Sequence, residues 1–260
     1  DYLGQEGPHV ATQETARCLA QKAGLRAQRF AQAENAVGVG ATAALATTRT
    51  RRGEDRAHLA IRLDDRYHLR RLAFTKDAAQ RSEQEAILSL AMLDLLSTVL
   101  GAEGAAQSMP AWVEIVDRQV PVHSAVENLL SGEATAVELT STGSTLAPQR
   151  DQRLLIAGSF NPLHDGHRGL AAAASRLSGR TATLELSVRN VDKPSLTYSE
   201  VIERWRGVQN ETMDLVVTRE PTFDGKASLF PGCDFAIGYD TAMRIVEPRY
   251  YGTEADMFRA

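Results

Sequence analysis

A chain of 260 residues, 43% hydrophobic and 24% charged, has the composition of a globular protein with room for one large domain or two medium ones. The net charge of −4 argues against a general nucleic-acid binder, and no apolar run approaches the ~20 residues of a membrane span. Two cysteines, Cys18 and Cys233, are too few for a disulfide framework and lack metal-site spacing, so a reducing compartment is the default.

Nothing at the N-terminus resembles a signal peptide, and a start at Asp1 reads as a processed or partial product. The expected location is soluble and intracellular, in the cytoplasm or an organelle matrix such as that of the mitochondrion.

Thr12 caps a helix whose apolar face is Ala16, Leu19, Ala20 and Ala23, with Gly24 placed to end it and Cys18 off that face. The small-residue run 36–46 reads as a buried strand entering a close-packed turn. Beyond the basic loop Arg49-Thr50-Arg51-Arg52, residues 57–63 and 67–74 read as a hairpin turning at Asp64-Asp65-Arg66, with His58 and His68 on an exposed face. A core helix is expected over 77–100, ended by Gly101.

Residues 102–152 read as a connection containing a strand at 112–116 and a short amphipathic helix at 122–130. The run 140–148, TSTGSTLAP, has the texture of a linker and puts a domain boundary near Gln149.

From there strands and helices alternate. Strand 154–157 is followed by a helix with Leu170, Ala174 and Leu177 at apolar spacing, then by strand 183–188. Next comes helix 199–208, opened by the capping box Thr197-Tyr198-Ser199-Glu200 and with Trp205 in its apolar stripe. Strands 214–218 and 234–238 follow, then a short helix over 241–246 stopped by Pro248. This is the pattern of a Rossmann-like doubly wound parallel sheet, whose ligands sit in loops at the carboxyl ends of the strands: here 158–167, 190–194, 218–226 and 238–241.

The first of these loops places His164 and His167 at a helix start, where unpartnered backbone N–H groups and the macrodipole suit a phosphate. Its sequence, Gly158-Ser159-Phe160-Asn161-Pro162-Leu163-His164-Asp165-Gly166-His167, resembles the G-x-F-x-P-x-H-x-G-H signature of the nucleotidyltransferase superfamily. That group holds cytidylyltransferases, phosphopantetheine adenylyltransferase and nicotinamide mononucleotide adenylyltransferase. The resemblance implies catalytic roles for His164 and His167 and nucleotide binding by Gly158, Ser159, Phe160 and Gly166. Lys193, Gly238 and Asp240 fall where the nicotinamide mononucleotide adenylyltransferases carry substrate-contacting segments, and they complete the expected nucleotide-binding set.

The activity so implied is transfer of a nucleotidyl group, adenylyl by expectation, from a nucleoside triphosphate to a small phosphate acceptor such as nicotinamide mononucleotide. Mg²⁺ would be carried by the triphosphate rather than by a protein metal site. The alternative is an inactive nucleotidyltransferase-like subunit with a structural role among protein partners in a larger, for instance organellar, assembly. Its ground is that the family's later I-S-x-T-x-I-R segment, which grips the outer phosphates, has no counterpart before Ala260, so the domain reads as incomplete.

Residues 1–104 resemble the C-terminal domain of the CinA family, whose members hydrolyse the amide of nicotinamide mononucleotide. The ground is the order of elements and the run Val37-Gly38-Val39-Gly40-Ala41-Thr42-Ala43-Ala44 before two strands and a long helix. The amidases' E-S-x-T-G stretch has no counterpart, so no catalytic residue transfers and a structural role is expected. The expected organisation is α/β throughout: a CinA-like α/β domain over 1–104, a connecting segment over 105–150, and a nucleotidyltransferase-like Rossmann domain over 151–260.

Overall fold

Alternation of small and apolar residues folds the first half of the chain into an antiparallel meander. In the computed structural model, which describes residues 10–31, 36–49, 52–102, 108–146, 152–190, 194–211 and 213–247, the chain divides into two units, Asp1–Val122 and His123–Ala260.

The first unit holds β1 (Gly38–Ala44), β2 (Asp55–Leu63), β3 (Arg66–Phe74) and β4 (Val113–Pro121), hydrogen-bonded in that order, with α1 (Gln13–Ala31) and α2 (Arg81–Val99). Because successive strand residues face opposite ways, Val39, Ala41, Leu59, Ile61, Leu72 and Phe74 share one face and pack with Ile87, Ala91 and Leu95 of α2. The other face meets α1 at backbone distance. A β-carbon at Gly38 would run into the Ala20 carbonyl oxygen, and one at Gly40 into that of Ala16.

Three expectations are corrected here. Gly24 does not end α1, which continues to Ala31; its Cα lies against Gly38, so this glycine serves close approach rather than termination. Cys18 is buried although off the expected face, and burial pushes its thiol up to about 11. His58 is buried rather than exposed, because it pairs with Thr42 on the face that α1 covers.

The second unit contains a sheet of β5 (Ala136–Thr140), β6 (Gly143–Leu146), β7 (Leu154–Ala157), β8 (Ala182–Ser187), β9 (Leu215–Thr218) and β10 (Asp234–Ala236), in spatial order β10-β7-β8-β9-β5-β6. The first four of that order run parallel, whereas β5 is antiparallel to both β9 and β6. The sheet is therefore mixed, not purely parallel. The segment expected to connect two domains supplies β4 to one sheet and α3 (Ser124–Ser131), β5 and β6 to the other. Its Thr and Ser residues form a hairpin closed at Thr140 and Gly143, in keeping with the strand preference of β-branched side chains.

The remaining helices are α4 (Asp165–Ser178), α5 (Tyr198–Val208), α6 (Phe223–Leu229) and α7 (Tyr239–Ile245). α4 packs on β7, β8 and β10, and it does so through small residues: Ala171 is buried, while Leu177, expected on the apolar face, is 90% exposed. α5 buries Tyr198, Val201, Ile202, Trp205 and Val208. α6 occupies part of the expected loop 218–226, started by Thr222, whose hydroxyl accepts from the Gly225 N–H, and Leu229 with the following Phe230 packs toward Leu155 and Val216. Among the described residues no helix is long and apolar enough to cross a membrane.

Candidate functional site

In the second unit the chain steps from β7 outward to β8 and β9, then returns to the far side of β7 for β10. Such a reversal opens a crevice at the carboxyl ends of the two strands that flank it, the place where open α/β sheets bind ligands. Ala236 pairs with Ile156, so the residues leaving β10 toward Gly238 run beside those leaving β7 toward Gly158. The expected site residues Gly158, Ser159, Phe160, His164, Gly166, His167 and Gly238 thus gather at one end of one sheet.

The 158–164 loop is held from below and within. The Gly158 N–H donates to the Glu185 carbonyl at 3.1 Å, and Phe160, at a φ of 47°, folds its buried ring back over Gly158. A β-carbon on Gly158 would lie 2.6 Å from that ring, which is why this position is bare. Leu163 is buried and His164 follows as the N-cap of α4. A β-carbon on Gly166 would sit 3.0 Å from the His164 ring.

The two imidazoles form one unit. The His164 backbone N–H donates to Nδ1 of His167 at 3.3 Å, and the rings lie 3.9 Å apart at 31°, with the Phe160 ring 5.0 Å from that of His167. An Nδ1 that accepts must be unprotonated, so the neutral His167 carries its proton on Nε2. Burial, then the neighbouring His164 and Arg168, lowers its pKa from the ordinary 6.5, which keeps the ring neutral at pH 7. What results is an N–H donor held rigidly at the first turn of a 14-residue helix, where the macrodipole favours an anion.

Beside the loop lies a cavity of about 580 Å³, lined among others by Gly158, Ser159, Asn161, Arg204, Lys226 and Thr241. Beneath it is a buried polar group that sequence reasoning did not identify. Glu185 is fully buried in β8; its Oε1 accepts from the Thr218 hydroxyl at 2.6 Å, and its Oε2 lies 2.8 Å from Lys226 Nζ, an ion pair without the angle of a hydrogen bond. One signal was present in the sequence: a glutamate between Leu184 and Leu186, inside a strand buried on both faces, requires a partner.

Lys193 lies outside the described residues. Asp240 falls in the first turn of α7, with its side chain also outside what is described. Among the described residues no cluster of three or more His, Cys, Asp or Glu could hold a metal ion. Comparison with protein-family models, with curated proteins and with solved structures found no match.

Proposed function

We propose that the second unit is a nucleotidyltransferase, binding a nucleoside triphosphate over the 158–167 loop and passing its nucleotidyl group to a small phosphate acceptor. The observation that carries this reading is the position of the paired imidazoles at a helix start beside the β7–β10 crevice. A phosphate acceptor is already ionised at neutral pH and needs no general base. Its oxygen attacks the α-phosphorus, the bond to the bridging oxygen breaks, and pyrophosphate leaves with that electron pair.

Negative charge grows on the oxygens between the two groups as this happens, and preorganised donors aimed there lower the barrier. His167 Nε2–H, the His164 ring and the first backbone N–H groups of α4 are such donors. The donor set, imidazole and backbone N–H, suits phosphate oxygens; Mg²⁺ entering on the triphosphate would neutralise part of its charge. The resemblance to nicotinamide mononucleotide adenylyltransferases makes ATP and nicotinamide mononucleotide the first pair to test. The assay is pyrophosphate release from ATP with and without that acceptor, and no acceptor-dependent release across a panel of small phosphate monoesters would remove the reading.

A further inference from the structure

We infer that Arg204 anchors a phosphoryl group in the cavity beside the loop, a role that no sequence motif assigns to it. The inference rests on the nucleotide-transfer reading only for its choice of probes. Arg204 lies on α5 and lines two cavities, the one of about 580 Å³ and a second of about 320 Å³, which also share Asn161 of the 158–164 loop. Arg204 therefore stands beside the candidate site on the α5 side.

The local chemistry leaves this guanidinium without a hydrogen-bond acceptor at Nε, although the Glu200 carboxylate attracts it. Nε of Arg204 is buried with no hydrogen-bond acceptor, and its guanidinium makes no ion pair among the described residues. Glu200, one turn earlier, attracts Arg204 across the helix surface, but its Oε2 accepts from both the N–H and the hydroxyl of Thr197, at 2.7 and 2.8 Å, in the capping box, and it does not close on the guanidinium as an ion pair. Four other arginines of the unit lie against compensating groups: Arg153 in an ion pair with Glu138, Arg168 with Glu211, Arg180 with Asp234, and Arg219 donating to the carbonyls of Leu129 and Leu130.

A buried donor without an acceptor is unfavourable unless a ligand supplies one. The buried cation of the cavity, Lys226, is already compensated by Glu185, whereas Arg204 is half-buried with only its Nε shut off from solvent. Arg204 retains an unsatisfied Nε donor to meet an incoming anion, and its planar fork matches two oxygens of a phosphoryl group. That group could come from the triphosphate or from a phosphate monoester, and the two sources separate experimentally.

The test is calorimetric titration of the full chain with Mg-ATP, with inorganic pyrophosphate and with nicotinamide mononucleotide. It is run on the native protein, on Arg204→Gln, on Arg204→Lys, and on Arg206→Gln as a control for loss of one charge from the same helix. Arg204→Gln should weaken at least one probe tenfold or more, Arg204→Lys should fall between, and Arg206→Gln should stay within twofold. Weakening of Mg-ATP and pyrophosphate assigns the triphosphate, and weakening of nicotinamide mononucleotide alone assigns the monoester.

The ligand-free melting temperature of Arg204→Gln should equal or exceed the native one, because an unsatisfied group has been removed; a purely structural arginine would lower it. Native-like binding of all three probes by Arg204→Gln, or no binding of any probe by the native chain, would overturn the assignment. Failure of nucleotidyl transfer is read separately, as absent pyrophosphate release in a protein that still binds its probes through Arg204.

Discussion

The backbone N–H of His164 donates to Nδ1 of His167, so the residue that caps α4 and the residue three positions into it fix each other. One ring nitrogen is committed to the fold, and the other is left as a donor of fixed direction at the helix start. Position and tautomer of the candidate donor are set by a single bond.

The burial of this ring makes stability depend on pH. The pKa of His167 is lowered in the folded state, chiefly by burial, and those of His58, His68 and His123 are lowered for the same leading reason. The unfolded chain therefore binds more protons than the folded one just below the ordinary value of 6.5, and stability rises with pH through that window. The contribution is complete above about pH 7 and is lost as pH falls toward the folded-state values. Thermal melts between pH 7.5 and 5 should show a falling midpoint, and His167→Asn, whose amide oxygen can still accept from the His164 N–H, should show a shallower fall. An unchanged slope would remove His167 from the set.

The pair of Lys226 and Glu185 should be costly to break singly. Both side chains are more than nine-tenths buried, and removing one leaves the other uncompensated, which typically costs about 3–5 kcal/mol. Glu185→Leu alone should destabilise by that amount, whereas Glu185→Leu combined with Lys226→Met should recover most of it. Denaturant melts of the two singles and the double measure the coupling. Additive losses would show that the ion pair contributes nothing.

In the first unit the close approach of α1 to β1 depends on the absence of side chains. Gly40→Ala would push a methyl group into the Ala16 carbonyl, a backbone atom that cannot swing aside. Overpacking of this kind costs about 1–3 kcal/mol, and Gly53→Ala, where a β-carbon meets nothing within 4 Å, is the matched control. Equal midpoints for the two variants in urea would contradict the packing described.

Strand and helix order in the second unit was legible because each element carries a local signal: the apolar run 154–157, the capping box at Thr197, the imidazole pair at a helix start. The hairpin of β5 and β6 was not, since Ser, Thr and Gly serve turns and edge strands alike and only pairing with β9 decides between them. Gly24 misled for a related reason: close approach to Gly38 and helix termination call for the same residue. The candidate site could be marked out in sequence only where its residues are contiguous, at 158–167. Arg204 and Lys226 line one cavity from separate helices, with Glu185 and Thr218 joined to it through Lys226, and only the fold brings these four elements together.

The most direct measurement of the central claim compares turnover and ground-state affinity in His164→Ala/His167→Ala. Loss of a donor that strengthens in the transition state lowers kcat by on the order of 10²–10³, while binding of Mg-ATP changes little. Steady-state pyrophosphate release from Mg-ATP with nicotinamide mononucleotide, alongside calorimetric titration of Mg-ATP, gives both quantities for the native chain and the double variant. A fall in kcat of at least a hundredfold with a Kd within severalfold of native is the predicted result. Native turnover in the double variant would contradict it.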